Sequence, residues 1–189
     1  MSTLYSIGAM NQLGDALEQA GFFPADVTLL KQFKNLSSIK DLLHNQAQLV
    51  YREFSINTNH LPVFPDEYSV IDHQKNGELL LSKNRLETLL LPQQNEEEGI
   101  LGAEILGLLN PKQKLNVAVA DFLLKNSHTI PDSWRPYCVC FWGTLIKKPN
   151  NDPAVLFMIW SGRDWDWGIK ALKEKFDHNY PAAILLDKS

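Results

Sequence analysis

Tyr137-Cys-Val-Cys-Phe-Trp-Gly-Thr-Leu-Ile146 and, eight residues on, Ala154-Val-Leu-Phe-Met-Ile-Trp-Ser-Gly-Arg-Asp-Trp-Asp-Trp-Gly168 decide how this chain folds. Four of its five tryptophans fall between Trp142 and Trp167. The stretches Tyr137 to Lys147 and Ala154 to Trp160 are apolar on successive residues, hence on both faces, which marks central strands of a sheet. Lys147-Lys-Pro-Asn-Asn-Asp-Pro153 joins them as a polar hairpin loop. Ser161-Gly-Arg-Asp164 turns the chain again, and Trp165-Asp-Trp-Gly168 alternates aromatic with acidic residues. That alternation predicts an edge strand with one wet face. Trp142 is therefore a core residue, whereas Trp165 and Trp167 share one face of the edge, with Trp160 and Arg163 at its turn.

Downstream, the spacing of Ile169, Leu172 and Phe176 predicts a short helix. Upstream of the tract lies a proline-bounded loop, Ile130-Pro-Asp-Ser-Trp-Arg-Pro136. Before it, Leu115, Ala118, Val119, Phe122 and Leu123 form an amphipathic stripe, with Asn110-Pro111 as the expected cap and Asn126 as the stop. A helix over Ile100 to Leu109 precedes that one, after the polar linker Gln93-Gln-Asn-Glu-Glu-Glu-Gly99, the expected flexible loop. Asn76-Gly77 between Tyr68–His73 and Glu78–Leu81 predicts a two-residue β-hairpin. Ser82–Arg85 is a second turn before Leu86–Leu91, which reads as a strand, with a helix over Ser82 to Leu91 as the competing reading.

The first fifty residues are helical in pattern. Met10, Leu13, Ala16, Leu17 and Ala20 lie on one face, and Gly21 sits where a helix stops. Pro24 to Phe33 fits a second helix with Val27, Leu30 and Phe33 inward, and Ser37 caps a third that runs to Val50 with Ile39, Leu42, Leu43, Ala47 and Val50 on one face. The fold class expected is α+β, antiparallel β meanders packed against helices with an N-terminal helical segment. The expected division is an N-terminal helical segment, residues 1–54, and an α+β main domain, residues 55–189, with one single domain overall as the alternative.

At 189 residues, 44% hydrophobic and 21% charged, the chain has the composition of a globular protein with a full core. A net charge of −4 argues against a large nonspecific nucleic-acid footprint, which needs clustered Lys and Arg. No apolar run approaches the ~18 residues that cross a bilayer, and Met1 to Met10 lacks the basic-then-apolar pattern of a signal peptide. Cys138 and Cys140, two apart on a strand, share a face at a spacing too long for an unstrained disulfide. Two thiols rather than a bridge predict a cytoplasmic protein.

Val117-Ala-Val-Ala-Asp-Phe-Leu-Leu124, Ile130-Pro-x-Ser-Trp134, Phe141-Trp-Gly-Thr144 and Pro181-Ala-Ala183 resemble stretches of short hypothetical proteins from uncultured bacteria. The resemblance runs along most of the chain and implies a bacterial origin. It implies no activity and assigns no site residue.

Candidate chemistry is sparse. Trp160, Arg163, Trp165 and Trp167 could form a stacking surface for a sugar, a base or a partner side chain, against the plainer reading that sheet tryptophans cover a core. Cys138 or Cys140 with His128 is the only nucleophile pair near in sequence, and an apolar strand raises a thiol pKa. The five histidines lack metal-ligand spacing and no phosphate-cradling motif occurs, so no metal or cofactor is expected. Asp164 and Asp166 are i, i+2 carboxylates of a solvated strand face. The N-terminal helices match a helix-turn-helix in length, with Lys31, Lys34, Lys40, Asn45 and Gln48 as the nucleic-acid set. Yet residues 1–53 hold four Lys/Arg and five Asp/Glu, a net −1 that disfavours phosphate binding. The leading expectation is a nonenzymatic module that binds a protein partner or a second copy of itself, away from membranes. A helix-turn-helix regulator and a hydrolase or carbohydrate-binding protein built on the Trp-rich edge are the alternatives.

Overall fold

The computed structural model describes residues 6–34, 36–44, 47, 52–65, 67–96 and 98–186. The chain divides into two compact units, Met1–Val50 and Tyr51–Ser189. Its class is α+β, with five α-helices and a mixed sheet among the described residues.

The first unit contains α1 (Ile7–Gln19), α2 (Pro24–Gln32) and α3 (Leu36–Leu43). Ser6 caps α1, its hydroxyl accepting from the Ala9 N–H at 3.1 Å. Gly21, at φ +82°, ends it in the left-handed conformation that glycine adopts without strain. Pro24 opens α2, and the Asp26 carboxylate reaches back to the Phe23 N–H at 2.8 Å. The third helix begins at Leu36, one residue before the expected cap Ser37. Its expected continuation through Val50 falls largely outside the described residues.

The second unit is built on β6 (Val139–Lys147) and β7 (Pro153–Trp160), the two apolar runs, paired as an antiparallel hairpin. Asn151, at φ +67°, turns the loop between them. A third antiparallel strand, β8 (Trp165–Ala171), lies at the edge, in full register with β7 from Ala154↔Ala171 to Trp160↔Trp165. On the other side the order continues through β10 (Ala182–Leu185) to β4 (Leu86–Leu89), while β2 (Ser69–His73) pairs with the far end of β6. Contact of β10 with β6 is parallel, Ala182 opposite Cys140, which makes the sheet mixed rather than a pure meander. Two two-stranded ribbons complete the set: β1 (Phe54–Asn57) with β3 (Glu78–Leu81), and β5 (Ile100–Leu101) with β9 (Lys175–Phe176).

Each face of the sheet carries its own core. Val139, Phe141, Leu156, Met158 and Ala183 pack against α5 (Val117–Lys125) and Trp134. Cys140, Trp142, Val155, Ala182 and Ile184 pack on the other side against Ile105 of α4 (Gly102–Leu108) and against Phe176. Helices on both faces explain why β6 and β7 read as continuously apolar.

Four expectations are corrected. Asn76-Gly77 is a turn, with Gly77 at φ +72°, but β2 and β3 do not pair with each other; β2 joins β6 and β3 joins β1. Residues 169–176 are not a helix, because β8 runs on to Ala171 and β9 follows. The cap of α5 is Asn116 rather than Asn110, its side-chain Oδ1 accepting from Ala118 and Val119 N–H at 3.1 and 3.4 Å. Within the linker after Pro92, Gln94 is only 1% exposed. Its side chain accepts from Leu91 N–H and donates to the carbonyls of Asp177 and Tyr180, so that segment is anchored.

Candidate functional site

The tryptophan edge comes first, because the sequence points there. Trp160 and Trp165 face each other across β7 and β8 with ring centroids 5.6 Å apart and planes tilted by 57°. They flank the Ser161–Asp164 turn and close it from one side of the sheet. The cation over a tryptophan ring is not Arg163, whose side chain is 93% exposed and paired with Asp164 at 3.6 Å. It is Arg135, 4.9 Å from the Trp160 centroid and held by Asp132 at 2.9 Å. Sequence reading missed Arg135 because it enters from the proline-bounded loop, distant in the chain.

Trp165 and Trp167 are half-buried and pack on the α5-side core. Trp167 also lines a small cavity of about 80 Å³ with Pro62, Phe64, Ala120, Leu124 and Leu156. The rings that the sequence offers as a platform are thus partly committed to packing, with Arg135 already seated over Trp160.

The edge of β8 is guarded as well. Leu172 N–H bonds to the Pro153 carbonyl across the hairpin at 2.8 Å, so the alternation of an antiparallel pair aims the N–H groups of Trp167 and Ala171 outward. Both are capped by neighbouring carboxylates: Asp166 Oδ1 accepts from Trp167 N–H at 2.7 Å and Glu174 Oε1 from Ala171 N–H at 3.2 Å. Acidic side chains that occupy outward N–H groups deter strand addition. Asp166 therefore serves the backbone rather than acting with Asp164 as a catalytic pair.

Cys138 and Cys140 are free thiols on one face. Full burial pushes the Cys140 thiol well above its usual range. Partial burial raises that of Cys138, opposed by a hydrogen bond from Tyr180 and by the charge of Lys170. His128 is exposed on a 3-10 turn, and among the described residues no contact joins it to either thiol. Neither cysteine is poised as a thiolate. Among the described residues no group of three or more His, Cys, Asp or Glu is placed to hold a metal ion, and no helix is long and apolar enough to cross a membrane.

The most exposed apolar surface lies in the first unit. Among the described residues, not one in α1, α2 or α3 is buried. Among the described residues, eleven of the eighteen exposed large hydrophobics belong to this unit, from Ile7 at 81% exposure to Leu43 at 77%. Residues expected to face inward are open to solvent: Met10, Leu13, Val27 and Phe33 are each 43–52% exposed. Helices of 13, 9 and 8 residues are too short to enclose a core of their own. They leave an apolar groove of about 460 Å³ lined by Met10, Leu13, Leu17, Phe22, Val27 and Leu30.

Glu18 and Lys31 stand at its rim. Lys31, Lys34 and Lys40 are all exposed, Lys31 at the border of an apolar groove, and Asn45 and Gln48 lie outside the described residues. Charge is unevenly spread: α1 carries Asp15 and Glu18 and no base, whereas residues 31–41 carry three lysines and one acid, Asp41. This groove was visible in the sequence as three apolar faces, although the pattern alone could not say that they remain uncovered.

No protein-family model, curated protein or solved structure matches the chain.

Proposed function

We propose that the protein is a self-associating module whose N-terminal helices dock on those of a second copy. The observation that carries this reading is the groove of the first unit, apolar and lined by three helices that bury none of their described residues. A contiguous apolar face of this kind is stabilised by removal from water, at roughly 25 cal/mol per Å². Charge selects the second copy as the occupant. A two-fold arrangement sets the acidic α1 of each protomer against the lysine-bearing span 31–41 of the other, so the same complementarity is used twice. The guarded β8 edge favours helix docking over strand addition.

Hydrogen exchange of the full chain at high and low protein concentration tests the assignment. Amides of α1 and α2 are expected to gain protection as concentration rises, while those of β6 and β7 stay constant. Concentration-independent exchange throughout the helices overturns the reading.

A further inference from the structure

A buried polar knot in the second unit has no part in that docking and points to a different property. The carbonyl of Thr58, just after β1, accepts two hydrogen bonds, from His73 Nε2–H at 2.9 Å and from Asn116 Nδ2 at 2.9 Å. A carbonyl cannot donate, so the His73 proton resides on Nε2. The opposite nitrogen, Nδ1, lies 2.7 Å from Thr144 Oγ1, which already accepts from the Val117 N–H at 3.2 Å. With Nε2 carrying the proton of the neutral ring, Nδ1 accepts and the Thr144 hydroxyl donates to it, so each bond in the chain has a fixed direction. His73 sits in β2 opposite Thr144 of β6, so one ring ties the β1–β3 ribbon to the sheet and to the start of α5. Asn116 completes the tie by donating to the Gln74 carbonyl at 2.8 Å.

A second proton on this ring finds an acceptor only if the Thr144 hydroxyl gives up its own donation to the ring. It would appear on Nδ1 and face a hydroxyl that must then turn its own proton into surroundings where Thr144 is 1% exposed. Thr58, Thr144 and Asn116, which reach the ring from the other elements, carry no ionisable side chain, and the positive end of α5 lies beside them. The charges that bear on it are Lys75, which disfavours the cation, and Asp72, which favours it. We propose that His73 is an acid-sensitive latch, whose protonation releases the β1–β3 ribbon from the sheet and from α5. Burial, the largest cause, lowers the affinity of the ring for that proton, and the bond to the Thr58 carbonyl offsets it only in part. The neutral ring's contribution to stability is fully present above the ordinary histidine value of 6.5 and is lost as pH falls from there through the lower folded-state value.

The test is nitrogen-resolved NMR of the His73 ring in the full chain, with amide exchange followed from pH 8 to pH 5. Expected are an Nε2–H tautomer, titration below the ordinary histidine range, and a several-fold loss of protection at residues 54–57 and 78–81, corrected for intrinsic exchange, while β7 and β8 hold. His73→Gln should flatten that local pH dependence. A proton on Nδ1, an ordinary or raised titration, or loss of protection in step across the whole sheet overturns the latch. The ring measurement on the unaltered chain decides even where His73→Gln folds poorly.

Discussion

Trp142 is 2% exposed, and its ring centroid lies 5.2 Å from that of Phe176. Trp142→Ala should cost about 3–5 kcal/mol, through lost burial plus a cavity, in denaturant unfolding of the full chain. A cost under about 1 kcal/mol would contradict its central position. Gly143 next to it is required for close approach. A Cβ there would meet Asn116 Cβ at 2.9 Å and the backbone of Asn116 and Leu115 at 3.0 Å. Gly143→Ala should therefore destabilise by roughly 1–3 kcal/mol and disturb the Asn116 cap, visible as faster exchange at Ala118 and Val119. The burial of Trp142 was legible because an unbroken apolar strand has nowhere else to go. The role of Gly143 was not, because it depends on which loop crosses the bulge between Cys140 and Leu145. Gln94 was hidden for the same reason: its partners, Asp177 and Tyr180, lie more than eighty residues away.

Among the elements, local alternation and apolar runs were readable while distant pairing was not. The β6–β7–β8 meander follows from its own residues, and the edge position of β8 from its acidic alternation. In contrast, Ile169, Leu172 and Phe176 have helical spacing, yet the cross-strand pairs Leu156↔Ile169 and Ala154↔Ala171 keep the chain extended. Asn76-Gly77 specifies a turn but not the partner of the strand on either side. Asn116 and Gly143 hold Gln74 between them, and this diverts β2 to β6 and β3 to β1. Insertion of β10 between β4 and β6 left no local signature, because four small or aliphatic residues are all it requires. The edge guard gives its own prediction. Asp166→Ala with Glu174→Ala uncaps the N–H groups of Trp167 and Ala171, so light scattering on heating should rise earlier than in the parent chain. Global stability should change by no more than about 1 kcal/mol, since both carboxylates belong to exposed surface. Unchanged scattering would mean that these caps do not protect the edge.

For the molecule as a whole, the apolar balance of the first unit is the fact to be explained. Its three amphipathic faces were legible in the sequence, which turned their apolar residues inward. The unit is too small for that, so the same residues become surface. The tryptophan edge, the other candidate, is partly committed to packing, with Trp165 and Trp167 half-buried and Arg135 over Trp160. Leu13→Asp combined with Val27→Asp places charge in the groove and leaves the sequence of the second unit unaltered. It should abolish self-association while leaving the unfolding transition of the second unit in place. The most direct measurement is sedimentation equilibrium of the full chain over a range of concentrations. Self-association predicts a mass that rises toward twice 21.5 kDa, and that returns to 21.5 kDa in the doubly substituted chain. A mass of 21.5 kDa at every concentration in the parent chain would contradict it.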